Sequence, residues 1–316
     1  MKIFRGLDAW RPEVAAAVTW GVFDGVHAGH RAVFAALAQE ARGCRGPAVA
    51  IVFDWHPNRI LGRSVPEWLT DPDHGRLDLL GGCGIDAALR VPFDEALAAL
   101  EPAAFLRDVV RARLGGAAVV LGDRSRFGHG GAGTPRTLQE EAPRLGMRAR
   151  IVPPLSDAYG TVSSTRIRQA VRDGDLAAAA AGLGRPFAIE GEVVAGAGRG
   201  RTLGFPTANL RTGGQVLPPP GVYAGWAEGA GGRGPTGRWR ALANLGRRPT
   251  FEAAGTLACE IHLDGFEGNL RGQRLAFSCL RRLRDERRFD SSTDLAEQIA
   301  RDRELLRSMP PPPPVS

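Results

Sequence analysis

Short strand-like runs, apolar in the main and continuously so in Ala48 to Phe53, mark out the first half of the chain. Ala15 to Trp20, Ala48 to Phe53 (AVAIVF), Ala87 to Val91, Ala117 to Leu121 and Arg148 to Val152 are each of strand length. Continuous apolar runs of that size suit strands buried on both faces, as in a parallel sheet. Between them the apolar positions take helical spacing over Ala32 to Ala41, Asp71 to Gly81, Pro102 to Leu114 and Thr134 to Leu145. This alternation predicts a doubly wound α/β domain, which binds ligands at the carboxyl ends of its strands. The loop at Gly21 and the loop from Gly122 to Gly133 fall at two such ends.

The pattern changes at Leu183-Gly184-Arg185-Pro186. Beyond it, short β-type runs (Ala188 to Val194, Val222 to Trp226, Arg240 to Leu245, Ala258 to Leu263, Leu275 to Cys279) are separated by recurrent glycine and proline turns. Such spacing predicts a small antiparallel barrel. A helical pattern from Ser292 to Leu306 follows, then a proline tail. The expected organisation is an α/β domain over 1–184, a β-barrel domain with a C-terminal helix over 185–309, and a disordered tail over 310–316.

Composition narrows the class. The chain has 316 residues, 43% hydrophobic and 24% charged, which is ordinary for globular domains. No uncharged apolar run reaches the roughly 18 residues that span a bilayer, and the amino-terminal stretch MKIFRGLDAWRPEV has no signal-peptide core, so a cytoplasmic protein is expected. Cys44, Cys83, Cys259 and Cys279 lack metal-ligand spacing and read as reduced thiols. The net charge of +7 comes from arginines dispersed along the chain, apart from Arg281 to Arg288, with Lys2 the only lysine. That dispersal favours phosphorylated small molecules over nucleic acid as partners.

Two stretches carry candidate chemistry. In TWGVFDGVHAGH, a strand breaks at Gly21, and His27 and His30 sit in the first turn of a helix, three residues apart and so on one face. Free N–H groups and the positive dipole end favour an anion there. In Val162 to Arg168 (VSSTRIR), Ser and Thr suit an N-cap, and the first turn presents hydroxyls and two guanidinium groups. Each stretch alone would also suit a plain capped surface helix, but the two together point to a phosphate site.

These residues, with others, resemble the bifunctional prokaryotic riboflavin kinase/FAD synthetase family over nearly the whole chain. The amino-terminal match comprises GVFDGVHAGH, the loop FDWHP (Phe53 to Pro57), Leu69-Thr70, Arg126-Phe127-Gly128 and SSTRIR. The carboxyl-terminal match comprises Gly196 to Leu210 (GAGRGRTLGFPTANL), Pro220 to Tyr223, Asn244 to Phe251 (NLGRRPTF), Glu260-Ile261-His262 and Leu283 to Glu286. The resemblance implies an HxGH-type nucleotidyltransferase domain that moves AMP from ATP to FMN, giving FAD. In it, His27, His30, Gly21, Phe23, Asp24 and Gly25 would meet the ATP phosphates, and Ser164, Thr165 and Arg166 the leaving pyrophosphate. It implies a riboflavin kinase barrel in which Glu260 is the base, Gly198, Gly200 and Gly204 wrap the nucleotide, and Thr207 and Asn209 bind Mg2+–ATP. Arg126, Phe127 and Arg284 would contact flavin. The implied substrates are riboflavin, FMN and ATP, with no nucleic-acid or membrane partner.

The chain departs from the family pattern at Val22, at Arg124-Ser125 and at Arg271, which stands where the family usually has tyrosine. Arg124 puts a bulky cation at an adenylyl-site position and is expected to weaken FAD formation. The competing readings are therefore a riboflavin kinase with an impaired first domain, and a non-catalytic flavin- or RNA-binding protein. A class I aminoacyl-tRNA synthetase is excluded, because its second signature is rich in lysine.

Overall fold

The structure, a computed structural model, describes residues 1–60, 62–196, 204–230, 234–247 and 257–310. By its contacts the chain forms two compact units, one of residues 1–66 and 76–163, the other of residues 67–75 and 164–316.

The first unit is built on β1 (Lys2–Arg5), β2 (Ala16–Gly21), β3 (Ala48–Phe53), β4 (Ala87–Val91), β5 (Gly116–Gly122) and β6 (Arg148–Val152). They form an all-parallel sheet in the order β1-β4-β3-β2-β5-β6. The chain winds outward from β2 in both directions, so the topological switch lies between β2 and β5, where such folds bind ligands. Side chains alternate between two buried layers. Val18, Trp20, Ile51, Phe53, Leu89 and Leu121 enter one, while Ala17, Ala48, Ala50, Ala88 and Ala118 enter the other. The alanine-rich face admits Phe34 and Leu37 of α1 (Ala28–Cys44). Each such fully buried Phe or Leu contributes roughly 1.5–3 kcal/mol.

The expected parallel domain and the expected barrel are both present, with local differences. β1 has mostly exposed residues, so no apolar run announces it. The helix expected from Asp71 begins at Gly75 (α2, Gly75–Gly81). Asp71 instead closes a turn, its Oδ1 accepting the Asp73 and His74 N–H groups at 2.9 Å. After α3 (Glu95–Ala98), the helix expected from Pro102 starts as α4 (Pro102–Ala104) but winds as a π-helix from Phe105 to Arg113. α5 (Pro135–Arg144) begins behind a Thr134–Thr137 capping box. A two-residue hairpin, β7 (Ser156–Asp157) with β8 (Gly160–Thr161), completes this unit.

The second unit opens with α6 (Ser164–Asp173) and α7 (Leu176–Leu183). Gly184 ends α7 in the left-handed conformation, its N–H on the Ala180 carbonyl at 2.7 Å. β9 (Phe187–Val194), β10 (Ala208–Arg211), β11 (Gly221–Gly229), β12 (Arg238–Arg247), β13 (Leu257–Leu263) and β14 (Arg274–Arg284) close an antiparallel barrel in the order β10-β13-β12-β11-β14-β9. α8 (Ser292–Ser308) packs Leu306 on Ala224 and Leu242, and its Arg303 and Arg307 both grip Asp264.

Residues 67–75 join this barrel although their chain neighbours belong to the first unit. The Trp68 N–H donates to the Gly214 carbonyl at 3.0 Å, the Trp68 carbonyl accepts from Val216 at 2.8 Å, and the buried Gln215 amide donates to the Leu69 carbonyl at 2.9 Å. Asp71 pairs with Arg274. The proline tail expected to be disordered lies, from 311 on, outside the described residues.

Candidate active sites

In the first unit, β2 delivers the chain into a strained loop. Phe23 (φ 50°) and Val26 (φ 39°) are two of the three non-glycine residues with positive φ among the described residues, and Gly25 between them has φ 80°. Such strain persists only where the surroundings enforce it, and it clusters at functional loops. Asp24 in this loop is buried. His27 is the N-cap of α1, and its Nδ1 accepts the His30 main-chain N–H at 3.2 Å. The His27 and His30 rings stack 3.6 Å apart, 15° from parallel, and Phe23 meets His30 edge-on.

With its Nδ1 accepting, neutral His27 carries its hydrogen on Nε2 and can donate from there. The Nδ1 of His30 is buried and has no hydrogen-bond partner among the described residues. Burial first, and then the repulsion that His27 would exert were both rings protonated, hold the His30 imidazole well below its ordinary range. The pair is thus a neutral donor couple at a helix N-terminus, suited to phosphate.

Arg76 was not anticipated. It is fully buried and donates to the carbonyls of Val22 at 2.7 Å and Phe53 at 3.0 Å, so it ties the ends of β2 and β3 together beside this loop. An arginine within a short helical stretch gives no sign of this in sequence.

A cavity of about 380 Å³ lies on the other layer of the same sheet, walled by Trp20, Phe53, Phe93, Phe105 and Phe127, with Arg63 and Arg126 on its lining. The rings meet edge to face, Trp20 to Phe105 at 5.0 Å and Trp20 to Phe127 at 5.3 Å. Phe127 is held by paired main-chain bonds to Gly133. Gly128 is required here, since a Cβ would lie 2.7 Å from Pro102. Arg126 and Phe127 both line this cavity, whereas Arg124 is exposed and does not. Ser164, Thr165 and Arg166 form the first turn of α6, packed near Gly182 of α7, and are counted with the second unit.

In the barrel, Glu260 on β13 is the register partner of Asn209 on β10 and of Asn244 on β12. One row across three strands thus carries two amides and a carboxylate. Thr207 lines two cavities. One, of about 320 Å³, includes Val193, Gly196, Asn209 and Arg271; the other, of about 370 Å³, includes Asn244, Glu260, His262, Arg284 and, from α8, Leu295, Ile299 and Asp302. A Cβ on Gly196 would sit 2.0 Å from the Asn209 amide, so only glycine admits that side chain. Gly204 has φ 78°, while Gly198 and Gly200 lie outside the described residues.

Arg284 lines the second cavity, with its guanidinium committed to the buried Asp302 at 2.8 Å and to the Asp285 carbonyl. The buried His262 donates from Nδ1 to the Pro206 carbonyl at 3.0 Å, since a carbonyl only accepts. Asn244, His262 and the α8 residues were not among the expected site residues. No cluster of three or more His, Cys, Asp or Glu residues able to hold a metal occurs among the described residues. The oxygen donors Thr207 and Asn209 instead fit a magnesium ion that arrives on a nucleotide.

Comparison with known proteins agrees with this division. A FAD synthetase family model matches residues 11–166 and a riboflavin kinase family model residues 183–309. The chain is 37% identical over 305 residues to the bifunctional riboflavin kinase/FMN adenylyltransferase of Escherichia coli K12, covering 96% of each. It is 32% identical over 298 residues to the protein so described in Bacillus subtilis, covering 92% of each. A solved structure described as a macrolide-efflux protein from Streptococcus pneumoniae superposes with a TM-score of 0.85 at 29% identity, over 98% of this chain and 100% of that one. Among the described residues, no helix is long and apolar enough to cross a membrane.

Proposed function

The chain belongs to the bifunctional riboflavin kinase/FMN adenylyltransferase family, and from that premise we propose which residues carry each of the two reactions. Both catalytic domains are present, so ATP is the co-substrate and FMN and FAD are the products.

For the kinase reaction, the observation that carries the assignment is Thr207 lining both cavities while Glu260 stands in register with Asn209. The cavity beside Asn209 takes the nucleotide, and the cavity over Glu260 takes riboflavin. Glu260 accepts the proton of the terminal ribityl hydroxyl as its oxygen attacks the γ-phosphorus, and the bond to the β,γ-bridging oxygen breaks to release ADP. Thr207 and Asn209 would hold Mg2+, which would supply screening of the phosphate charge when bound. Gly204 is assigned to the nucleotide side of the site, and Gly198 and Gly200 lie outside the described residues. Arg284, fixed by Asp302, walls the flavin side.

For adenylyl transfer, an FMN phosphate oxygen attacks the α-phosphorus of ATP and pyrophosphate leaves. No covalent enzyme intermediate is needed, only alignment and neutralisation of charge. His27 and His30 donate to the phosphates from the Gly21-Phe23-Asp24-Gly25 loop, and Ser164, Thr165 and Arg166 hold the pyrophosphate. The aromatic cavity with Arg126 and Phe127 fits the flat isoalloxazine ring. We assign residues 1–184 to this activity and 185–309 to the kinase. The dispersed arginines argue against nucleic acid as a partner, and small-molecule substrates of this kind are in keeping with a cytoplasmic enzyme.

The test is to incubate the purified protein with riboflavin, ATP and magnesium and to resolve the flavins by chromatography. FMN followed by FAD is expected. FMN alone would leave only the kinase half of the assignment standing.

A further inference from the structure

We propose that Arg271 is the cation that binds the ATP phosphates in the kinase domain. This rests on the assignment of the Thr207–Asn209 cavity as the nucleotide site. Among the described residues lining that cavity, Arg271 is the single charged side chain. No ion pair or hydrogen bond engages its guanidinium among the described residues; its main-chain N–H donates to Asn269 Oδ1 at 3.0 Å, which fixes the turn and leaves the side chain free to reach. Other arginines of this unit are committed: Arg274 to Asp71, Arg211 to Glu192, Arg284 to Asp302, Arg303 and Arg307 to Asp264.

The strand register says where Arg271 stands. Val193, near the end of β9, is the partner of Leu210 on one edge, and Asn209 pairs with Val194. On the other edge, the Val193 N–H donates to the Gln273 carbonyl at 2.8 Å and its carbonyl accepts from Gly272 at 2.9 Å. Arg271 and Thr207 therefore flank the carboxyl end of β9 from opposite sides, with Ala195 and Gly196 between them on the cavity lining. A fork of five N–H donors suits phosphate oxygens. With no acidic side chain among the described residues of the lining, it meets no competitor for them there. The family resemblance has tyrosine at this position, so this chain has gained a full positive charge beside its nucleotide.

The experiment is steady-state riboflavin kinase kinetics on the full-length protein with ATP varied, for the wild type, Arg271→Lys, Arg271→Gln and Thr207→Ala, with adenosine and ADP as competitive inhibitors. In Arg271→Gln the KM for ATP should rise roughly tenfold or more, as removal of a charge-assisted phosphate contact does. The KM for riboflavin should move much less, and Arg271→Lys should recover most of the loss. The inhibition constant of ADP should worsen while that of adenosine stays put. An unchanged KM for ATP in Arg271→Gln overturns the proposal, as does a parallel worsening for adenosine, which would put Arg271 on the base. If Thr207→Ala leaves the ATP dependence untouched, the assignment of the cavity fails instead. A melting temperature equal to that of the wild type reports that each variant is folded.

Discussion

Asn209 and Glu260 stand directly opposite each other across the β10–β13 ladder, and Asn244 faces the same glutamate from β12. The carboxylate is thus fixed between two amides on a closed barrel, not carried on a loop. Glu260→Gln keeps the side-chain volume and removes the base, so riboflavin phosphorylation should fall about 10²- to 10⁴-fold. FAD formation from supplied FMN should continue. Loss of both reactions in a protein with a normal melting temperature would mean that the two sites are coupled.

His27 has two jobs, and one substitution separates them. Asparagine is among the best N-cap residues, so His27→Asn keeps an acceptor for the His30 N–H while removing the Nε2 donor and the stacked ring. The helix should be destabilised by under about 1 kcal/mol. FAD synthesis should collapse while riboflavin is still converted to FMN. Full FAD synthesis by this variant would reduce His27 to a capping residue.

Acid should weaken the protein through His30. Its folded pKa lies below its ordinary value of 6.5, so the unfolded chain takes up the proton first as pH falls. The contribution of the neutral imidazole is complete above about pH 6.5 and is lost progressively below it. Denaturant melts between pH 7 and 5 should show a shallower decline in His30→Gln than in the wild type. Equal slopes would show that His30 titrates normally.

Glu190 acts with the opposite sign. It is buried in the barrel unit, its Oε2 accepts the Asp71 N–H at 3.3 Å, and a Cβ on Gly75 would lie 1.7 Å from that oxygen. Burial first, and then the Asp71 charge, push its carboxyl up to about 7 from 4.5. The folded pKa is raised, so a penalty is absent below pH 4.5, grows from there to about 7, and is full above. At roughly 1.4 kcal/mol per unit, Glu190→Gln should be stabilising by up to about 3 kcal/mol at pH 8. The gain should vanish near pH 4, and a gain of the same size at both pH values would point to packing instead.

Burial decided what could be read from sequence. β3 and β4 are legible at their observed limits because strands covered on both faces are largely apolar, whereas edge strand β1 is mostly exposed and shows no pattern. β10 was hidden inside the motif that names Thr207 and Asn209. The histidines, Phe127 and Glu260 could be found because motif spacing fixes them locally. Arg76, Asn244, His262 and the residues of α8 acquire their places only through long-range register and packing. No local signal announces that Arg76 will hold the Val22 and Phe53 carbonyls. Arg124, a departure from the family pattern, is exposed and does not line the aromatic cavity.

The nine residues from Glu67 to Gly75 make the covalent order of this protein differ from its division into units. A gene cut at the apparent boundary before Arg185 would encode a barrel without its own seam. Gln215 would lose the Leu69 carbonyl, Gly214 and Val216 would lose Trp68, and Arg274 would lose Asp71. The amino-terminal fragment would carry those partners away with nothing to receive them. If single side chains silence the two activities one at a time, as predicted, the polypeptide that bears them still does not divide where its sequence pattern changes.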